Sequence, residues 1–287
     1  MERASHLVEG VPQGALAGQP RPHASFVILT WNSEPYIARC LKSILALTCC
    51  EPLVMVVDNG SCDGTVAAIR ALGDSRIRLY RQEANLGTTR SRNIALRDLS
   101  DTTDYVCILD SDTEVNDGAI ARLLDILKAD AAVGIAGPRM RDAAGNVQLS
   151  GRNLPSLGIK LRKACPISSI QEKGACKEVP QSEIIEGVQR VEYLLSACWV
   201  MRREVLRRVG LLDERIFYAP EDVDYCVRVQ RAGYDCVVCH DVEIVHDYQR
   251  LSKRKLVSKM NYEHLKGLAY YFKKYGYLFD AAKALEG

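Results

Sequence analysis

No run of eighteen apolar residues occurs in the chain, so we expect no membrane-spanning helix. Basic residues outnumber acidic ones by only two (38 against 36), which excludes the broad positive surface typical of nucleic-acid-binding proteins. The N-terminus lacks the apolar core of a signal sequence, and we expect residues 1–23, with several Gly, Pro and Gln, to form a flexible tail. These absences favour a cytoplasmic protein with at most a peripheral contact at the inner face of a membrane.

The eleven cysteines lack the arrangement of a disulfide framework or of a zinc site. Cys107 lies inside a predicted apolar strand, and Cys40 and Cys226 fall on the apolar faces of predicted helices. Cys236 and Cys239 have metal-like spacing, but no second pair completes a zinc site. A strand would also point these two thiols to opposite faces. We therefore expect reduced, structural cysteines, as is usual in cytosolic proteins.

Apolar segments of two kinds alternate in the first half of the chain. With 47% hydrophobic and 26% charged residues, the chain can bury a large core in one large domain or two small ones. Between residues 24 and 138, short apolar runs alternate with segments of helical apolar spacing, which predicts an α/β fold. Its sheet should be mostly parallel, with helices on both faces. The predicted strands are residues 25–30, 52–58, 76–80, 105–109 and 132–136.

Polar residues follow three of these predicted strands directly. Thr30-Trp-Asn32 follows the first strand, Asp58-Asn-Gly60 the second, and Asp110-Ser-Asp112 the fourth. Ligands of such sheets bind outside the carboxyl ends of the strands. The topology therefore predicts a binding site at this edge of the sheet.

Asp110 and Asp112 end a buried strand, where two carboxylates are costly unless they hold a cation. A divalent metal that also binds a nucleotide diphosphate is a common occupant of such a site. The simpler interpretation is that the pair begins an ordinary loop before the helix at Asn116. Their place beside Thr30 and Asp58 favours the metal.

Two further motifs have both a turn interpretation and a binding interpretation. Asn-Gly within Asp58-Asn-Gly-Ser61 is a strong turn signal, but Asp58 is also suited to accept a hydrogen bond from a base imide N–H. Asn85-Leu-Gly87 precedes Arg90, Arg92 and Asn93, which either form a turn with solvated arginines or place a guanidinium at a base carbonyl or phosphate.

Three carboxylates lie within four residues in Glu221-Asp-Val-Asp224. Acidic residues stabilise the first turn of a helix without any chemistry. However, the segment follows Phe217-Tyr-Ala-Pro220, an aromatic approach suited to a ligand pocket, and three carboxylates exceed what a cap requires. One of them is suited to act as a general base toward a hydroxyl.

His246 ends a predicted apolar strand near the C-terminus. A lone histidine there is usually structural, but a metal held by aspartates accepts an imidazole, manganese in particular. The neighbouring basic cluster either forms a solvated face or contacts phosphate. This cluster comprises Arg250, Lys253, Arg254 and Lys255.

Two segments carry no catalytic motif. Periodicity fades between residues 141 and 190, which predicts an irregular lid or binding loop, with a hairpin turn at Ala144-Gly145-Asn146. The segment from Lys253 onward is basic and aromatic. It either packs on the domain or lies on a membrane that carries a lipid-linked acceptor, and packing is favoured.

Five segments, taken in order, resemble family 2 glycosyltransferases of the GT-A fold. The likeness covers roughly residues 24–275, and the spacing from Pro220 to Gly233 is similar to the rhamnosyltransferase-like branch. The segments are Phe26-Val-Ile-Leu-Thr-Trp-Asn32, Val56-Val-Asp-Asn-Gly-Ser61, Asn85-Leu-Gly87 with Arg92-Asn93, Asp110-Ser-Asp112, and Glu221-Asp-Val-Asp224.

The resemblance implies roles for individual residues. Six residues would contact the nucleotide. Among them, Arg92 would lie near the base or diphosphate, and Asp110 near the ribose or the metal. Asp112, with Asp110 and His246, would bind Mn²⁺ or Mg²⁺. Asp222 matches the usual catalytic base, and Glu221 is the lesser candidate. The nucleotide-binding set is Thr30, Asn32, Asp58, Asn85, Arg92 and Asp110.

The resemblance also implies a domain organisation and an activity. Residues 24–250 would form the GT-A domain, with a nucleotide-binding half (24–138) and an acceptor half (139–250), and residues 251–287 a helical extension. The activity would be inverting transfer from a UDP- or dTDP-linked sugar, such as rhamnose, to a hydroxyl of a glycan, lipid-linked or peptide acceptor. One alternative is a non-catalytic nucleotide-sugar or glycan-binding protein. A nucleotidyltransferase is disfavoured because no Gly-rich loop follows the first strand.

Overall fold

Parallel strands form the first half of the central sheet. The computed structural model describes residues 20–247 and 259–286. Strands β1 (His23–Thr30), β2 (Glu51–Asp58), β3 (Ile77–Arg81) and β4 (Tyr105–Asp110) lie in the order β3-β2-β1-β4 with every neighbouring pair parallel. Helices α1 (Glu34–Leu45), α2 (Thr65–Arg70) and α3 (Thr88–Arg97) connect them. The predicted alternation is confirmed, and the ends of these four strands differ from the predicted ends by at most two residues.

The second half continues the same sheet. After β5 (Thr113–Glu114) and α4 (Asp117–Ala129) comes β6 (Val133–Arg141). Strand β12 (Cys198–Arg202) lies between β4 and β6 and runs antiparallel to both. The long strand β13 (Asp235–His246) then pairs parallel with β6. It is one strand with a shift in register between Cys239 and Glu243.

Residues 141–190 contain regular structure. The predicted turn joins β6 to β7 (Val147–Gln148), and Gly145 has a φ of +84° there, a conformation that glycine adopts without strain. The expectation of an irregular segment was wrong, because helices α5 (Leu157–Ala164) and α6 (Ser168–Glu178) follow β8 (Gly151–Arg152) and pack against each other. Both helices are short, and α6 buries little apolar surface, so periodicity gave no signal.

Short elements complete the sheet and its helical layers. Strands β9 (Ile184–Ile185) and β10 (Val188–Val191) extend the far edge, and β11 (Tyr193–Leu194) pairs with β8. Helix α7 (Arg203–Val209) precedes α8 (Glu221–Arg231), and α9 (Lys259–Tyr275) precedes a short 3₁₀ helix.

Apolar cores lie on both faces of the sheet, as predicted. Phe26 and Ile28 point from β1 toward α1 and α4, whereas Val27 points toward the opposite core under α3 and α8. Cys236 and Cys239 likewise enter opposite cores, and all eleven cysteines are free thiols.

The aromatic C-terminal segment packs on the core that lies under α3 and α8. Leu268, Tyr271, Phe272, Tyr275 and Tyr277 are buried there. Most of the predicted N-terminal tail and the basic cluster at 250–255 lie outside the described residues. No helix within the described ranges is long and apolar enough to cross a membrane.

Candidate active site

Three predicted metal ligands meet at the carboxyl edge of the sheet. Asp110 ends β4, Asp112 follows it, and His246 ends β13. The Nε2 atom of His246 lies 3.5 Å from Asp112 Oδ1 and 3.9 Å from Asp110 Oδ2, and the three potential ligand atoms lie within 4.8 Å of one another. Pairing of His246 with Thr113 of β5 brings the end of β13 to the aspartates.

Gln148 fixes the orientation of the imidazole. Its Oε1 lies 2.8 Å from His246 Nδ1, and its Nε2 donates to the His246 carbonyl at 2.8 Å. Because Oε1 only accepts, Nδ1 must donate, and Nε2 turns its lone pair toward the aspartates. Burial lowers the pKa of His246 and favours this neutral form. Two carboxylates and a neutral imidazole fit Mn²⁺ well and Mg²⁺ acceptably.

The loop that carries the aspartates is anchored on both sides. Ser111 Oγ lies 2.8 Å from Ser33 Oγ at the start of α1, and Thr113 Oγ1 donates to the Asp110 carbonyl. The Asp112 carbonyl accepts from the Asp247 N–H at 2.8 Å. The backbone that carries the two carboxylates is therefore held in place by contacts within the protein.

Thr30 and Asp58 lie opposite each other on β1 and β2 and are almost fully buried. Among the described residues, Thr30 Oγ1 and Asp58 Oδ2 have no hydrogen-bond partner. Such atoms are costly in a folded protein, and a polar ligand at this edge would offset the cost. Asn32 differs, because its Oδ1 accepts from the Cys62 N–H at 2.8 Å.

Asn85 is engaged within its own loop. Its Oδ1 accepts from Asn59 Nδ2 at 3.0 Å and from the Gly87 N–H at 2.9 Å. Asn59, which is buried and which the sequence indicated only as part of a turn, also accepts from the Leu86 N–H and from Ser91 Oγ. Nucleotide contact by Asn85 stays a prediction.

Arg92 is a buried bridge between the metal cluster and α8, with only 1% of its surface exposed. Its Nη2 donates to Asp110 Oδ1 at 2.6 Å, and its Nη1 donates to Ser196 Oγ at 2.9 Å and Glu221 Oε1 at 3.4 Å. The solvated-arginine interpretation is therefore wrong for Arg92. The contacts indicate that Arg92 orients Asp110; its contact with the base or diphosphate stays a prediction.

The three carboxylates at the start of α8 have different surroundings. Asp224 is buried, and it accepts from Arg228 at 3.1 Å and from Tyr275 Oη at 2.9 Å. Glu221 is also buried and accepts from Ser196 Oγ at 3.1 Å. Asp222 is half-buried and lines a cavity of about 700 Å³. It is thus the carboxylate best placed to meet a substrate.

The same cavity joins the two predicted centres. Within the described part of the chain, its lining includes Arg92, Asp110 and His246 as well as Glu221 and Asp222, but not Asp112. Thr30, Asn32, Asp58 and Asn85 are not among its described lining residues. The structure therefore brings the metal cluster and the candidate base together, while the predicted nucleoside residues lie beyond this cavity.

Helix α9 contributes to this site in a way that the sequence did not reveal. Asn261, His264 and Leu268 line the cavity. A Cβ atom at Gly267 would lie 2.1 Å from the Ala219 carbonyl oxygen, so only glycine allows α9 to approach the loop before α8. The C-terminal helix is therefore part of the wall beside Asp222.

Glu221 should make stability depend on pH. Burial, followed by the neighbouring Asp222, raises the Glu221 pKa from 4.5 to about 8, against the opposing effect of Arg92. The folded protein therefore holds this proton more tightly than the unfolded chain. The resulting stabilisation is complete below about pH 4.5 and is lost as the pH rises through 8. We expect the Tm of Glu221→Gln to fall less than the wild-type Tm between pH 5 and 9.

Thermal melts at several pH values test this expectation. Glu83→Gln, at an exposed glutamate, is the matched control and should follow the wild-type curve. Parallel curves for wild type and Glu221→Gln would contradict a raised Glu221 pKa.

Residues 25–210 match the family described as glycosyl transferase family 2. The match covers well over half of the chain. The chain belongs to glycosyl transferase family 2. Family membership confirms the resemblance, and the protein is a nucleotide-sugar-dependent glycosyltransferase.

A curated relative matches most of this family 2 glycosyltransferase. It is the N-acetylglucosaminyl-diphospho-decaprenol L-rhamnosyltransferase of Mycobacterium tuberculosis, 29% identical over 83% of this chain and 80% of the relative. The expected likeness to rhamnosyltransferases is thereby confirmed.

Solved structures confirm the GT-A fold of this glycosyltransferase. A mannosyltransferase from Pyrobaculum calidifontis, in complex with GDP-Man and Mn²⁺, has a TM-score of 0.56 at 20% identity, over 83% of this chain and 62% of that one. TarS from S. aureus, in complex with UDP-GlcNAc, has a TM-score of 0.58 at 19% identity, with the same coverage. At these identities the likeness shows the fold alone.

Proposed function

We propose that this glycosyltransferase transfers a sugar, with inversion, from a UDP- or dTDP-linked donor to a hydroxyl of a lipid-linked saccharide. The observation that carries the proposal is one cavity lined both by Asp110 and His246, two members of the Asp110–Asp112–His246 cluster, and by Asp222. The name of the mycobacterial relative, which acts on a diphospho-decaprenol-linked sugar, supports rhamnose as the donor sugar and a lipid-linked acceptor.

Asp110, Asp112 and His246 would hold Mn²⁺ or Mg²⁺. When bound, the cation neutralises charge on the departing nucleotide diphosphate as a Lewis acid. The hydrogen bond from Arg92 keeps the Asp110 carboxylate oriented, and Gln148 does the same for the imidazole. The buried polar atoms of Thr30 and Asp58 would be satisfied by the nucleoside.

Asp222 would accept the proton of the acceptor hydroxyl. As the acceptor oxygen bonds to the anomeric carbon, the bond from that carbon to the diphosphate oxygen breaks, and the nucleotide diphosphate leaves on the opposite face. The configuration at the anomeric carbon is thus inverted. Burial raises the pKa of Asp222, which makes its carboxylate a stronger base than an exposed aspartate.

A panel of nucleotide sugars tests the donor and the metal together. We expect dTDP-rhamnose, UDP-glucose or UDP-GlcNAc to raise the Tm by several degrees with Mn²⁺ and much less with EDTA, since a ligand of the folded state stabilises it. GDP-mannose should have little effect. The stabilising donor should release its nucleotide diphosphate when a lipid-linked GlcNAc acceptor is added.

A sugar nucleotide that binds without turnover on any acceptor would instead indicate a non-catalytic binding protein. Stabilisation that is equal with Mn²⁺ and with EDTA would remove the metal from the proposal.

A further inference from the structure

An apolar groove opens beside the catalytic cavity. It lies between α5, α9 and the segment after α9, and its volume is about 970 Å³. Leu161, Leu265 and Phe279 are 60%, 67% and 68% exposed along it, and Leu278 is 49% exposed. Large apolar side chains exposed side by side in this way mark a binding surface.

The groove is continuous with the catalytic cavity. Lys160 and Leu268 line both spaces, so Lys160 stands at the junction. Its positive charge is close enough to Asp222 to oppose the rise in the pKa of that carboxyl. A molecule that enters the groove would therefore pass Lys160 before it reaches Asp222.

The junction carries excess positive charge. Arg152 and Lys163 line the cavity near Lys160, and both bind the buried Glu178, at 3.0 Å and 2.7 Å. Lys160 Nζ forms no ion pair with any described residue. Three cations thus lie near two carboxylates, Glu178 and Asp222, and the remaining positive charge suits a diphosphate.

We propose, on the basis of the function above, that the groove binds the polyprenyl chain of the acceptor and that Lys160, with Arg152 and Lys163, binds its diphosphate. The order along the protein, from Asp222 through Lys160 to the groove, matches the order sugar, diphosphate and lipid along such an acceptor. The substrate class is therefore a polyprenyl diphosphate saccharide, with its chain between α5 and α9.

Acceptors that differ only in chain length test the groove. The same diphospho-sugar is supplied on a long polyprenyl chain and on a short one, in detergent, and kcat/KM is measured for each. We expect the wild type to prefer the long chain by at least about tenfold, since each buried methylene adds to binding. Leu161→Ser and Leu265→Ser should each lower this preference by about tenfold.

Ile185→Ser is the matched control, because Ile185 is 64% exposed on β9 and lies outside the groove. It should keep the wild-type preference. The diphosphate contact is tested with Lys160→Gln, which should raise KM for both acceptors about tenfold and leave the donor KM unchanged. For an acceptor that carries no phosphate, the KM of Lys160→Gln should equal that of the wild type. Lys128→Gln, at a lysine on α4, should alter none of these values.

Several outcomes would overturn the groove assignment while leaving the proposed function intact. The first is that the wild type shows no preference for the long-chain acceptor, and the second is that Leu161→Ser keeps the wild-type preference. The third is that Leu161→Ser transfers sugar normally and loses only its binding to phosphatidylcholine–phosphatidylglycerol vesicles. The last outcome would make the face a membrane contact instead. Loss of metal-dependent donor binding and of nucleotide release with every acceptor would overturn the proposed function itself.

Discussion

Asp222→Asn should lower kcat for sugar transfer by about 10²–10⁴-fold, because this is the usual contribution of a general base. The amide cannot take the proton, but it retains the shape of the side chain. Its oxygen can still accept from the Val223 N–H, as Asp222 Oδ1 does at 2.8 Å. Donor affinity and Tm should therefore stay near the wild-type values. Steady-state transfer and donor calorimetry measure the two effects.

Two neighbouring carboxylates serve as controls for Asp222. Asp224→Asn should lower the Tm, because Asp224 is buried among Arg228, Lys274 and Tyr275, yet it should cost the folded enzyme far less activity. Glu221→Gln addresses the lesser candidate for the base. A larger loss of kcat in Glu221→Gln than in Asp222→Asn would transfer the role to Glu221. Loss of donor affinity in step with kcat would refute a base at Asp222.

The sequence predicted the part of this site that depends on strand ends. Thr30, Asp58 and Asp110 each end a strand, and parallel strands place their carboxyl ends at one edge. Topology alone therefore predicted that they lie near one another. His246 reaches the aspartates only because β13 returns beside β6 and pairs with β5, and the family resemblance, not the topology, indicated it as a metal ligand.

The contacts that support these residues could not be predicted from local patterns. Arg92 and Ser196 are 104 residues apart, and Gln148 and His246 are 98 apart. No periodicity relates such pairs, because the partners meet only when the sheet is assembled. Gln148 also lies where a lid was expected, and Asn59 was interpreted only as part of a turn. Gly267 gave no signal, since its role depends on the approach of α9 to Ala219.

Asp112→Asn should nearly abolish the Mn²⁺ dependence of nucleotide binding. The substitution removes one of two carboxylates that lie within 4.8 Å of the His246 ring nitrogen, and it preserves side-chain volume. A change in a residue that only orients a ligand typically costs 10–100-fold in metal affinity, so a direct ligand should cost at least about 100-fold. Calorimetric titration of Mn²⁺ into the enzyme with nucleotide diphosphate measures this affinity.

Two further variants are compared with Asp112→Asn for their effect on metal affinity. Gln148→Ala removes the partner of His246 Nδ1 and should cost about 10–100-fold, less than Asp112→Asn. Asp247→Asn changes an adjacent carboxylate that pairs with Arg39 at 3.3 Å, and metal affinity should change little. If all three variants bind Mn²⁺ like the wild type, the cluster is not a metal site. If Asp247→Asn shows the largest loss, the ligand set must be redrawn around Asp247, because the carboxylate that matters would then follow β13 and not β4.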